Sequence, residues 1–289
     1  MQLGHSELIL NADNSIYHLN LLPENIADTL ITVGDPDRVN DVSKYFDTIE
    51  LKKGKREFRT HTGTLNGKRL TVISTGIGTD NIDIVLNELD ALANIDFKTR
   101  TVKLDKKVLD IIRIGTSGAI QPDIAIDSIL MSEYAIGFDG LLQFYDSESV
   151  QQTMVSKAFV AHSNWPQRKS TPYVTTYDES LGNKFTSNRI RLGMTVTNIG
   201  FYGPQGRNLR LKTDDAEFLE KLRSFDYHGH KITNLEMETS GIYGLSKLLG
   251  HRAVSLNCIL ANRATGEFSK NPNKAVDELI RYALERLTN

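Results

Sequence analysis

Ile111-Ile-Arg-Ile-Gly-Thr-Ser-Gly118 carries the strongest structural signal in the sequence. An apolar, extended run leads into two glycines that bracket two hydroxyl residues. The pattern predicts a buried strand ending in a tight turn. Small residues there let backbone N–H groups approach an anion, and Thr116 and Ser117 add donors. Arg113, just upstream, can reach the same anion with its guanidinium. The chemistry suggested is oxyanion capture, most simply of phosphate. An ordinary glycine turn after a core strand is the plain alternative.

Working outward, similar β-rich runs occur at residues 29–33, 70–74, 128–131, 194–197 and 253–260. Helical periodicity lies between several of them. Ile82, Val85, Leu86, Leu89, Leu92 and Ala93 share one helical face. So do Val276, Leu279, Ile280, Ala283, Leu284 and Leu287 near the C-terminus. Strands alternating with helices imply one α/β domain over residues 1–289 with a mixed or mostly parallel sheet. In such sheets ligands sit at the carboxyl ends of the strands. Residues 97–107 form a basic patch read as a solvated surface insertion, and residues 143–163 read as a loop followed by a helix.

Composition narrows the function classes. A hydrophobic content of 39% with 24% charged residues suits a globular protein with a large core. A net charge of -2 argues against nucleic acid or a membrane surface as the main partner. The single cysteine, Cys258, lies in an apolar run and reads as a buried thiol. No Lys or Arg precedes Arg38, so no signal peptide is expected, and a cytoplasmic location is the default. No metal site is expected: His228 and His230 lack further ligands at useful spacing.

Four further constellations carry chemistry. Val33-Gly-Asp-Pro-Asp-Arg38 reads as strand, turn and helix, with Pro36 early in the helix and Asp35 or Asp37 as cap. Gly34 N–H and Arg38 would give a second phosphate contact. Ser74-Thr-Gly-Ile-Gly-Thr-Asp-Asn81 looks like a dinucleotide fingerprint, but Asn81 replaces the third glycine, so NAD is not expected. Phe201-Tyr-Gly-Pro-Gln-Gly-Arg207 offers a stacking ring, an amide and a guanidinium, a set that fits the edge of uracil; a surface turn with a stray arginine is the alternative. In Asn234-Leu-Glu-Met-Glu-Thr239, alternation puts Glu236 and Glu238 on one side, suited to the vicinal hydroxyls of a ribose, with Met237 against the sugar. Acidic residues favouring a helix N-terminus are the alternative there, and a paired-carboxylate glycosidase is a second one.

Together these motifs resemble the nucleoside phosphorylase family that includes uridine phosphorylase, from about Ser15 to the C-terminus and in the same order. The resemblance implies a central mixed β-sheet flanked by helices in a three-layer sandwich. It implies that Gly34, Arg38, Arg113 and Thr116 hold phosphate. Arg56 matches an arginine, and His18 a histidine at the ribose 5′-hydroxyl, that the family donates across a dimer interface. Glu238, Met237 and Glu236 would bind ribose. Gln205 and Arg207 would read uracil over Phe201, Leu260 and Ala261 would line the base pocket, and Arg263 would support the reading pair. Arg113, Arg207 and Gln205 would be the catalytic set. Purine phosphorylases of this fold carry an Asp near the position of Asn262-Arg263, so a pyrimidine nucleoside is the expected substrate, with inorganic phosphate as co-substrate. A purine phosphorylase, a nucleosidase of the same fold and a non-catalytic nucleoside-binding protein are the competing readings.

The resemblance also implies a homodimer, or three such dimers in a hexamer, with shared sites. No cofactor is implied. Glu57 and Ile77 match positions that line a monovalent-cation site at the dimer interface of bacterial uridine phosphorylases, but Asn81 stands where those carry serine, which leaves potassium open. Residues 95–108 form an insertion before the phosphate strand, and residues 1–14 are expected to be poorly structured.

Overall fold

Consecutive apolar residues in the central strands face opposite ways, and each face needs a cover. In the computed structural model, which describes residues 2–288, Leu30, Ile111 and Ala253 join one buried cluster. Their neighbours Ile31, Ile112 and Val254 join another on the opposite face. This is the pattern of a sheet covered by helices on both sides.

The strands are β1 (Thr29–Val33), β2 (Thr48–Lys55), β3 (Phe58–Leu65), β4 (Lys68–Ser74), β5 (Ile95–Asp96), β6 (Thr101–Val102), β7 (Asp110–Ala119), β8 (Ile129–Gly137), β9 (Tyr173–Thr176), β10 (Ile190–Thr197), β11 (Asp226–Tyr227), β12 (His230–Glu236), β13 (Arg252–Asn262) and β14 (Glu267–Phe268). The α-helices are α1 (Arg38–Ser43), α2 (Thr79–Asn94), α3 (Thr153–Ser163), α4 (Glu179–Gly182), α5 (Phe218–Ser224), α6 (Thr239–Leu249) and α7 (Pro272–Thr288). Helices α2 and α6 cover one face, and α1 and α7 the other. Both periodic faces read from the sequence are buried: Ile82 to Ala93 in α2 and Val276 to Leu287 in α7. Helices α3 and α5 cover a third cluster, built around Phe159, Phe218 and Met194.

The main sheet has twelve strands in the order β11-β12-β10-β8-β13-β7-β1-β4-β3-β2, with β9 on β8 and β14 on β13. It is mixed: β1 runs parallel to β4 and β7, whereas β2, β3 and β4 are antiparallel. Strand β12 also pairs with the end of β7, through Asn234↔Ala119 and Leu235↔Gly118. Strands β7, β13, β8, β10 and β12 therefore close on themselves as a small barrel at one end of the sheet.

That closure corrects the reading of the opening stretch. β7 does not turn after Ile114; it continues as strand through Gly115–Gly118 to Ala119. Neither glycine adopts positive φ. The ladder to β13 simply runs on, pairing Gly115 with Asn257 and Thr116 with Cys258. Gly115 is required for space, because a Cβ there would collide with the Arg113 guanidinium. Helix α1 likewise begins at Arg38, so Pro36 lies in the preceding turn, where Asp35 Oδ1 accepts from the Asp37 N–H at 2.9 Å and neither aspartate caps the helix with its side chain.

The N-terminal segment also departs from expectation. Gln2 bridges to Thr101, Leu8 is buried, and Arg100 donates to the carbonyls of Leu3, Gly4 and Leu8. Residues 95–108, which carry the β5–β6 ribbon, thus tether residues 2–8 against α2. Met1 lies outside the described residues. The basic patch is otherwise solvated, with Leu104 fully exposed.

Candidate active site

Strand ends β1, β4, β7, β10, β12 and β13 surround a cavity of about 1050 Å³. Its lining brings together Gly34, Arg38, Arg113, Thr116, Phe201, Gln205, Arg207, Glu236, Met237, Glu238, Leu260, Ala261 and Arg263. Leu260 enters it because a bulge after Ile259 leaves that residue unpaired in the ladder. His18 and Arg56 are not among the lining residues. Their sequence neighbours touch, Lys55 Nζ donating to the Tyr17 carbonyl at 2.5 Å and sitting 4.4 Å from the Tyr17 ring, and Glu57, next to Arg56, does line the cavity. His18 is fixed by Glu88, whose Oε1 lies 2.6 Å from its Nδ1. Arg56 is exposed at the β2–β3 turn with φ of 56°.

At the centre, Arg113 is buried against two carboxylates. Its Nη2 lies 2.6 Å from Glu238 Oε2 and 3.1 Å from Glu236 Oε2. Its Nη1 donates to Asn257 Oδ1 at 2.8 Å and to Ser255 Oγ at 3.4 Å. Burial lowers the guanidinium's hold on its proton, but the two carboxylates outweigh it and the pKa is raised. The expected bidentate grip of Arg113 on phosphate would require it to release these partners. As arranged, the residue positions Glu238.

The two glutamates differ in what surrounds them. Glu236 Oε2 accepts from the N–H groups of Glu238 and Thr239, both at 2.9 Å, and from Thr239 Oγ1 at 2.8 Å. Its Oε1 accepts from Thr197 Oγ1 at 2.6 Å. Glu236 therefore satisfies the start of α6, as acidic residues at helix N-termini do. Among the described residues, Glu238 Oε1 accepts only the Gly78 N–H, at 2.8 Å. That N–H is delivered by the Gly76-Ile77-Gly78 turn, whose two glycines take φ of 71° and 94°. Burial raises the Glu238 pKa, with Arg113 opposing. The motif that looked like a dinucleotide loop thus serves a carboxylate.

Three other guanidiniums line the cavity without a carboxylate within 4 Å among the described residues: Arg38, Arg207 and Arg263. Burial lowers the pKa of each. Arg207 donates to the Phe201 carbonyl at 2.8 Å and to Gln205 Oε1, and its guanidinium lies 4.0 Å from the Phe201 ring centre. Arg263 donates to the Gln205 carbonyl. Because arginine can only donate, Gln205 presents Oε1 to Arg207 and keeps its Nε2 donors for a ligand. Asn262 is spent internally, donating to the Gln121 and Ile124 carbonyls and accepting from the Ala264 N–H. Cys258, beneath Arg38, is buried and its thiol pKa is pushed up to about 12.

Glu57 and Asn81 flank Gly76, and Asn81 Nδ2 points at the Ile77 carbonyl from 3.5 Å. An amide donor aimed at a would-be ligand oxygen does not fit a potassium ion. The sequence reading missed Gly76, Gly266 and Phe268 as lining residues, and it placed Ile77 only at an interface cation position. Gly76 and Ile77 lay in a motif already singled out; the lone aromatic Phe268 carried no signal.

The family profile of the Phosphorylase superfamily matches residues 28–288. A uridine phosphorylase of Thermococcus kodakarensis is 30% identical over 261 residues, covering 89% of this chain and 81% of its own. A DeoD-type purine nucleoside phosphorylase of Bacillus velezensis is 26% identical, covering 94% and 99%. Among solved structures, a Trypanosoma brucei nucleoside phosphorylase described as showing uridine phosphorylase activity superposes with a TM-score of 0.87 at 29% identity, over 97% of this chain and 99% of its own.

Proposed function

The chain belongs to the phosphorylase superfamily, and we propose that it is a uridine phosphorylase, cleaving uridine with inorganic phosphate to uracil and ribose 1-phosphate. One observation carries the reading. A half-buried Arg38 without a carboxylate partner shares a cavity with a carboxylate suited to ribose and an amide–guanidinium pair suited to uracil. A desolvated cation of this kind is stabilised by an anionic ligand.

In this reading, Arg38, the Gly34 N–H and Thr116 hold phosphate beneath the sugar, and Glu238 accepts from the ribose hydroxyls with Met237 against the ring. Holding the reactants in line is worth ~7–11 kcal/mol of barrier. As the glycosidic bond to C1′ breaks, charge moves onto uracil. Gln205 Nε2 and Arg207 then stabilise the carbonyl oxygens, as an oxyanion hole does. Arg113 acts through Glu238. Arg56 and His18, which do not line the cavity of their own subunit, complete the partner's site in a homodimer, alone or as three pairs.

Uridine is favoured over a purine nucleoside because Asn262 is an amide, not an acid that could protonate a purine ring, and its side chain is already held by backbone partners. Among the described residues no helix is long and apolar enough to cross a membrane. The test is uracil release from uridine with and without phosphate, beside inosine. Strict phosphate dependence with uridine is expected. Hypoxanthine release from inosine, or uracil release without phosphate, would replace this reading with a purine phosphorylase or a nucleosidase.

A further inference from the structure

Behind the cavity, each strand of the closed barrel contributes a polar side chain to one hydrogen-bonded ring. Arg113 on β7 donates to Asn257 Oδ1 on β13 at 2.8 Å. Asn257 Nδ2 donates to Ser132 Oγ on β8 at 3.2 Å. Ser132 Oγ lies 2.5 Å from Thr195 Oγ1 on β10, and Thr195 donates to Asn234 Oδ1 on β12 at 2.8 Å. Asn234 Nδ2 donates to Ser117 Oγ at 2.9 Å, returning to β7 two turns of the pleat beyond Arg113. Asn257, Ser132, Thr195 and Asn234 are wholly buried.

Barrel interiors are ordinarily filled by apolar side chains. A buried polar network is stable only when its members are satisfied, and then it specifies one arrangement. Here that arrangement has a consequence at the cavity. The ring occupies Arg113 Nη1, which leaves Nη2 as the nitrogen that meets Glu238. Without Asn257, Ser255 would be the only partner of Nη1, at 3.4 Å, and the guanidinium could pivot.

We propose that Asn257 is a positioning residue which, through Arg113, fixes the Glu238 carboxylate for recognition of the ribose 2′-hydroxyl. The ring through Ser132, Thr195 and Asn234 holds Asn257 in turn. The inference rests on the phosphorolysis reading above and extends it to sugar discrimination. A side chain that merely supported the fold would change turnover of all nucleosides alike.

The experiment measures kcat/KM for uridine and 2′-deoxyuridine, and the KM for phosphate, in the full-length protein and in Asn257→Leu. A lost hydrogen bond to a charged group corresponds to roughly a tenfold effect or more. The expected result is therefore a roughly tenfold fall for uridine, a much smaller fall for 2′-deoxyuridine and an unchanged phosphate KM. Should Asn257→Leu fail to fold, Ser132→Ala removes one hydroxyl of the ring with little change of volume and is expected to narrow the same ratio by a smaller factor. Equal losses for the two nucleosides in a folded variant would overturn the inference and leave the phosphorylase reading standing. Absence of phosphate-dependent turnover in the unaltered protein would overturn both.

Discussion

Replacing Arg38 by Met tests whether an uncompensated cation is the phosphate anchor. Met keeps an unbranched stem and removes the charge. Burial lowers the Arg38 pKa, and no carboxylate lies within 4 Å among the described residues, so the ligand-free protein should lose nothing. The response to phosphate should fall sharply. At phosphate a hundredfold above its dissociation constant, mass action stabilises the folded state by about 2.7 kcal/mol. A charge-assisted contact worth roughly 1.5–3 kcal/mol makes the variant bind about tenfold to a hundredfold more weakly. At the same concentration its stabilisation is then roughly 0.4–1.4 kcal/mol. For a chain of this size one kcal/mol shifts Tm by roughly 2 °C, so a shift of about 5 °C becomes one of about 1–3 °C. Calorimetric melts with and without phosphate measure both quantities. An undiminished phosphate shift would refute the assignment, and so would a ligand-free Tm lowered by more than about 4 °C, because Arg38 would then be a structural residue.

Arg207→Ala should lower kcat/KM for uridine by ~100- to 1000-fold while the phosphate KM stays near its original value, as expected of a lost donor to developing charge; equal losses on both sides would contradict a base-reading role. If Arg56 acts in the partner's site, mixing and refolding inactive Arg56→Asn with inactive Arg207→Ala should restore roughly one quarter of the activity through hybrid dimers with one intact site, and no recovery would mean that each subunit is self-sufficient. His61, buried beside Ser43 Oγ at 2.7 Å, has its pKa lowered by burial to about 4. The unfolded chain, with a value near 6.5, takes up a proton first, so the stability this neutral side chain carries is full above about pH 6.5 and is lost as pH falls toward 4. Urea midpoints across that range should fall less steeply for His61→Leu than for the unaltered protein, and parallel curves would exclude the effect.

The legible part of the site was the part written in local sequence. Arg38, Gln205 and Arg207 each sit in a strand-to-helix or turn motif whose local geometry points at the cavity whatever the rest of the chain does. The same holds for α2 and α7, whose buried faces follow from a 3.6-residue period. What was not legible depended on a distant partner. Glu236 and Glu238 were both assigned to ribose, Glu236 as the assistant, because alternation alone puts them on one side. Only the start of α6 at Thr239 and the hydroxyl of Thr197 divert Glu236 into the fold. Arg113 was assigned to phosphate because nothing near it in sequence announces two carboxylates more than a hundred residues away.

Local sequence dictates the alternation of strands and helices, the faces that must be buried and the residue types available to phosphate, sugar and base. These follow from short-range geometry and from the cost of burying polar groups alone. Only the tertiary structure decided that β7 runs on through its glycines, because a strand continues or turns according to whether a ladder partner is there to receive it, and β13 and β12 are. It likewise decided that residues 2–8 are tied to the insertion and that a polar ring closes inside the barrel. Such pairings join residues far apart in the chain, and their energies exist only once the strands have been brought together.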